Sequence, residues 1–421
     1  MGDLTAGGSI PMHITLVNCW HDDNKGDSAI VWGTLKALQV CTSNLSLRLV
    51  AMFSEQSPFF QNAFRHTLKK FPQAEINPSP IPDSSELNRY QWLVALMRSM
   101  SPLKVKKNRR ILDNTDLVIS TGGHYFVTYG GPGDLLRIYA HSYPLLLAWR
   151  ARIPFAIYGQ SIGPLHSSLS RHFIRILFQK ALVIGVRELL SKKELVGCGL
   201  PPDRIHLLPD LAFMIEPTLT ERLERLLQRY GLKPKNFVVI TPRQWFKKGD
   251  FRYIAYLDAL TTLIHYLRAR GIKVVVLAHT LGPTPFEDDR IACHDLLERL
   301  TDHDGIYYVQ EDLDPEELSA FYGYSRLVVG TRFHSIILSF TAGTPAFALS
   351  YSGPKAPGIM DLFGLRSYTA DISNLHPKAL QAGVDHLLCN EDNLREQISK
   401  KVAELRANIV SFTQEMLKKV E

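Results

Sequence analysis

The residues whose types and spacing most directly suggest chemistry are Gly330-Thr331-Arg332-Phe333-His334-Ser335. An apolar, β-branched run leads into Gly330, and an apolar helical pattern from Ile336 to Phe340 follows. Arg332 and His334 therefore stand two apart at a strand-to-helix turn, where both can face a ligand at a helix N-terminus. Arginine offers phosphate or carboxylate a bidentate fork. Histidine is the side chain best poised to move a proton near neutral pH. A lone histidine commonly serves a structural hydrogen bond, but an arginine beside it at a helix start points to an anionic ligand.

Other strand ends carry residues of the same kind. Asn24-Lys25-Gly26-Asp27 follows the first expected strand; Gly26 lets backbone approach a ligand, and Asp27 can cap a helix or accept a proton. This is neither a dinucleotide fingerprint nor a P-loop. Ser120-Thr121-Gly122-Gly123-His124 closes a later strand, its paired glycines leaving amides open to a sugar or an anion. Gln160 and Ser161, then Arg187, then Pro209-Asp210 end the strands after it. In the second half Arg243 and His279 follow two strands, and Lys355 follows a third. For Gly130–Gly133 and for Lys355, a plain turn and a surface lysine account for the residues as well.

Parallel strands separated by helices would present such residues together. Short β-branched runs near Ile14–Cys19, Ser46–Phe53, Leu117–Thr121, Phe155–Gly159 and Val183–Val186 alternate with helical patterns. Among those helices, one is expected over Phe59–Phe71. After the polar stretch Thr218–Asn236 the alternation restarts near Phe237–Thr241, Lys273–His279, Tyr307–Val309, Leu327–Gly330 and Ala346–Tyr351. The pattern predicts an α/β protein of two doubly wound, Rossmann-like domains: residues 1–215, then 216–385, with a helical 386–421 packing back on the first.

Composition excludes several classes. No apolar run reaches the roughly 18 residues of a membrane helix. Five scattered cysteines without CxxC spacing fit neither a disulfide framework nor a zinc cluster, and suit a cytoplasmic location. No metal-ligand spacing is evident; His21-Asp22-Asp23 reads as a polar loop. A net charge of +7 without a nucleic-acid motif fits an anionic small molecule or a membrane surface. The densest basic run, Lys104 to Arg110, follows an amphipathic stretch, Leu87–Met100. That pair reads either as a solvated surface or as a peripheral contact at the inner face of a membrane.

Taken in order, these segments resemble the polysaccharide pyruvyl transferase family. The resemblance rests on Asn24–Asp27, Thr121–Gly123, Ser161–Pro164, Val186-Arg187 with Ser191, Pro209-Asp210, Gly330–His334, and Tyr351–Lys355 with Leu362–Leu365. It implies a fold similar to the two-domain GT-B glycosyltransferases, with the domains facing a cleft. It implies pyruvate moved from phosphoenolpyruvate onto sugar hydroxyls as a ketal, with phosphate released and no cofactor. The acceptor would be a polysaccharide, a glycolipid or a lipid-linked precursor. By resemblance Arg332 and Arg187 would hold the donor, aided by Arg243, Ser335 and Lys355. His334 would be the general acid, and Asp27 a base or an acceptor ligand. Asn24, Gly26, Gly122, Gly123, His124, Gln160 and Ser161 would form the acceptor side. Two other readings remain: a nucleotide-sugar glycosyltransferase, with Glu316 and Glu317 as ribose ligands, and a non-catalytic carbohydrate-binding protein.

Overall fold

The computed structural model describes residues 11–82, 89–131, 133–351 and 355–420, with Arg89 and Lys355 described in their backbone alone. The chain forms two compact units. Unit 1 comprises the chain up to His21, Thr34–Leu211, and the chain from Asn408 onward. Unit 2 comprises Asp22–Gly33 and Ala212–Ala407.

Unit 1 is built on β1 (Met12–Cys19), β2 (Leu45–Ala51), β3 (Glu75–Asn77), β4 (Leu117–Ser120), β5 (Gly123–Phe126), β6 (Phe155–Ile162), β7 (Val183–Val186) and β8 (Ile205–Leu207). All pair in parallel, in the order β3-β2-β1-β4-β6-β7-β8, with β5 beside β6. From Ile14 onward β1 is buried at every position, and β4, β6 and β7 are buried throughout. Continuous apolar runs are what a parallel sheet covered on both faces demands.

Unit 2 is built on β9 (Phe237–Thr241), β10 (Lys273–Leu277), β11 (Ile306–Val309), β12 (Leu327–Gly330), β13 (Ala346–Ser350) and β14 (Thr369–Asp371). These also pair in parallel, in the order β11-β10-β9-β12-β13-β14. The chain order reverses between β9 and β12, the place where open α/β sheets hold ligands beyond their carboxyl ends.

The expected class, two parallel α/β sheets, is the observed one. The short strands β3, β5, β8 and β14 carry too few residues to show a pattern and escape sequence reading. The helix expected over Phe59–Phe71 is limited to Arg65–Lys70. The helix Lys25–Cys41 begins in unit 2 and ends in unit 1, and Glu391–Lys418 likewise divides between the units at Asn408.

Candidate functional site

The expected donor-side residues of unit 2 converge on the β9/β12 reversal. Arg243 lies two residues beyond β9, and Arg332 two beyond β12, as N-cap of the helix Phe333–Thr341. The buried hydroxyl of Tyr256 bridges the two loops. It accepts from the Arg243 amide at 3.2 Å and shares a 2.8 Å hydrogen bond with Thr331. Burial raises its pKa, so it stays a neutral phenol.

The two arginines are held differently. Asp289, 1% exposed, takes the Arg332 fork through Nε at 3.0 Å and Nη2 at 2.7 Å, while Nη2 also donates to the Glu287 carbonyl at 2.8 Å. Burial opposes the Arg332 charge, but the Asp289 carboxylate overcomes this and holds its pKa above the usual arginine value. Arg243 is 6% exposed and has no such carboxylate. Its guanidinium carbon lies 4.3 Å from the Tyr351 ring centre, 5.0 Å from Trp245 and 5.2 Å from Phe286. Its Nε is buried without a hydrogen-bond partner among the described residues. Burial and the neighbouring Arg332 charge together lower its pKa. Aromatic faces offset part of the desolvation of such a cation, and an anion placed there would offset far more.

His334 occupies the first turn of the helix Phe333–Thr341. Its ring lies against the Gly26 backbone so closely that a Cβ on Gly26 would come within 2.2 Å of Nδ1. Asn24 and Gly26, expected on the acceptor side, thus belong to unit 2. Asn24 donates to Glu287 at 2.9 Å and accepts from the Asp27 amide at 3.4 Å. Asp27 is half-buried in the first turn of the helix Lys25–Cys41. Lys25, 1% exposed, pairs with Asp312. Ser335 donates to the Arg332 carbonyl at 2.7 Å and accepts from Thr241 at 3.2 Å, which secures the turn. Lys355 opens the helix Lys355–Leu362; its side chain lies outside the described residues.

His279 completes this set. Its Nδ1 bonds the Tyr322 hydroxyl at 2.8 Å, and it is fully buried. Burial, together with the charges of Arg332, His334 and Lys25, lowers its pKa well below the ordinary histidine value.

Unit 1 holds the other expected residues in separate hydrogen-bonded groups. Arg187 follows β7 and pairs with buried Asp210; its Nε donates to Ser161 at 3.0 Å, and Glu188 lies 3.6 Å away. Ser161 in turn donates to Glu188 at 3.1 Å. Gln160 donates to Ser120 at 2.7 Å and to the Thr121 carbonyl at 2.6 Å. His124 bonds the Gly163 carbonyl at 2.6 Å. Gly122 and Gly123 are buried, and Gly123 adopts a positive φ of 140° with Tyr125 packed over it. A small cleft lies at the carboxyl ends of β1 and β2, lined by Asn18, Ile81, Trp92, Arg137 and His141.

Sequence reasoning misses Asp289, Trp245 and Phe286 in unit 2. Asp288-Asp289 at an expected helix start is visible as an acidic pair, but nothing in its spacing ties it to Arg332. Glu316 and Glu317 are buried against Thr218, Thr220 and Arg222, with Glu317 closing a capping box with Asp314. Among the described residues, no cluster of three or more His, Cys, Asp or Glu could hold a metal ion.

Comparison with known proteins yields one family and one fold. The sequence profile of the family described as polysaccharide pyruvyl transferase matches residues 24–353. Amylovoran biosynthesis protein AmsJ of Erwinia amylovora is 25% identical over 424 residues, covering 97% of this chain and 100% of that protein. Anabaena Alr3699/HepE, solved with UDP-glucose, superposes with a TM-score of 0.58 at 13% identity, over 97% of this chain and 98% of its own. UDP-GlcNAc 2-epimerase of Neisseria meningitidis gives 0.60 at 12% identity, over 97% and 100%.

Proposed function

We propose, from the premise that this chain belongs to the polysaccharide pyruvyl transferase family, that it moves pyruvate from phosphoenolpyruvate to two hydroxyls of a saccharide as a ketal. Phosphoenolpyruvate carries a phosphate and a carboxylate, so its holder needs more than one cation. The observation that carries the reading is the pair Arg332 and Arg243 at the unit 2 strand reversal, of which only Arg332 is paired with the buried Asp289 carboxylate. Arg332, fixed by Asp289, presents the part of its fork that Asp289 leaves. Arg243, without a carboxylate of its own, takes the second anionic group.

His334 donates a proton to the methylene carbon of the donor, which becomes the methyl group. The adjacent carbon becomes oxocarbenium-like, and one sugar hydroxyl adds to it with loss of its proton. A second hydroxyl then displaces phosphate at the same carbon, breaking the carbon–oxygen bond. Of the two hydroxyl protons, one restores His334 and the other leaves with phosphate, so atoms and charge balance. The half-buried Asp27 carboxylate belongs to the same unit and is the candidate base. Gly26 sets the imidazole position by its missing side chain.

Against the nucleotide-sugar reading stands Glu317, one of its two ribose candidates, which is already engaged by Thr220 and Arg222. The test is product analysis by mass spectrometry with phosphate counting. Incubation with phosphoenolpyruvate and a saccharide pool should give an acid-labile pyruvyl ketal and one phosphate per ketal. Sugar transfer from a nucleotide-sugar, with no ketal, would refute the reading.

A further inference from the structure

We infer that the helix Arg89–Ser99 and the following Pro102–Arg110 segment form a docking surface for an anionic phospholipid bilayer. The helix has two apolar faces. Trp92 and Leu96 are buried in the unit 1 core, and Ser99 hydrogen-bonds Tyr139 there at 3.2 Å. The opposite stripe, Tyr90, Leu93, Met97 and Met100, points outward at helical spacing, and Leu103 extends it. Tyr90 is 76% exposed, Met97 63% and Leu103 84%. Single exposed apolar residues need no explanation, but five on one short stretch form a patch that a soluble surface rarely keeps.

Charge selects the partner. Residues 89–110 hold seven Lys and Arg and no Asp or Glu. The other 41 basic residues balance the 41 acidic ones, so this stretch accounts for the whole net charge of +7. Arg98, Lys104, Lys106, Lys107, Arg109 and Arg110 are all exposed. A helix presenting apolar side chains with a basic cluster beside them suits the interface of an anionic leaflet: the apolar stripe enters the headgroup boundary while the cations meet lipid phosphates. Among the described residues no helix is long and apolar enough to cross a membrane, so the contact is peripheral. The inference stands on this surface alone and is independent of the reaction.

The test is flotation of the full chain with phosphatidylcholine vesicles, with and without phosphatidylglycerol. The protein should float with the anionic vesicles and stay behind with the neutral ones, and binding should fall as salt screens the charges. Met97→Glu with Leu103→Glu should cut vesicle partitioning by about tenfold or more, as buried apolar area is lost and repulsion added. Lys104→Gln, Lys106→Gln and Lys107→Gln together should remove the preference for anionic lipid. All these residues are exposed, and an unchanged thermal melt confirms folding. Equal partitioning of wild type and variants, or no flotation at all, overturns the proposal. So does a wild-type dimer in sedimentation that the Glu variants dissociate without any vesicle binding, which would make the patch an interface between copies.

Discussion

Each unit ends its strands in buried arginine, but the two sites are balanced differently. In unit 1 the Arg187 guanidinium is enclosed by Asp210, Ser161 and Glu188. One cation there meets two carboxylates and a hydroxyl. In unit 2 Asp289 pairs with Arg332, and Arg243 is left to aromatic rings. A buried cation without a paired carboxylate carries a desolvation cost that an anion placed beside it would offset. By the resemblance Arg187 and Arg332 share one role; in the structure each is paired with a buried carboxylate, Asp210 and Asp289, and Arg243 is the arginine without such a pairing.

The contrast is sharpest in turnover. His334→Ala should reduce the pyruvyl transfer rate by roughly 10²–10⁴, the usual worth of a positioned proton donor, with donor affinity nearly kept. A near-normal rate, measured by phosphate release, would take the chemistry away from unit 2. Next in size is Arg187→Ala, which leaves Asp210 charged and buried. It should cost about 3–5 kcal/mol of stability in urea unfolding. An unchanged urea midpoint with lost donor binding would break the comparison and return Arg187 to the donor site. Gly26→Ala should displace the His334 ring and lower turnover by about tenfold, in line with the cost of a small misplacement, while the melting temperature changes little.

The smallest effect is in pH. His279 is held neutral by burial and by the Arg332, His334 and Lys25 charges, so its folded pKa lies well below the ordinary 6.5. The unfolded chain then takes up the proton first as pH falls, and stability drops from about pH 6.5 downward. The slope is at most about 1.4 kcal/mol per pH unit for one group. His279→Gln should flatten that part of the stability profile. An unaltered slope would show that His279 already carries a proton in the fold.

Much of this was legible in residue order. Gly330 through His334 predicts a strand, a turn and a helix with Arg332 and His334 at its start, and the alternation of β-branched runs predicts both sheets. What stayed hidden depends on distance across the chain. Asp289 reaches Arg332 from 43 residues away, and Asn24 reaches Glu287 from 263 away. Neither link leaves a periodicity or a spacing to read. Gly26 reads as a glycine that lets backbone approach a ligand, whereas the group packed against it is the ring of His334, far off in sequence. The strands β3, β8 and β14, of three residues each, are too short to carry an alternation, and β5 opens on the glycine pair that reads as a turn.

The most direct test of the account is calorimetric titration of phosphoenolpyruvate into the wild-type chain and into Arg243→Met, with a UDP-sugar titrated in parallel. The account predicts saturable phosphoenolpyruvate binding that weakens by about ten- to a hundredfold in the variant, the worth of a charge-assisted contact, with no UDP-sugar binding. Binding of the UDP-sugar without phosphoenolpyruvate, or equal phosphoenolpyruvate affinity in both proteins, would contradict it.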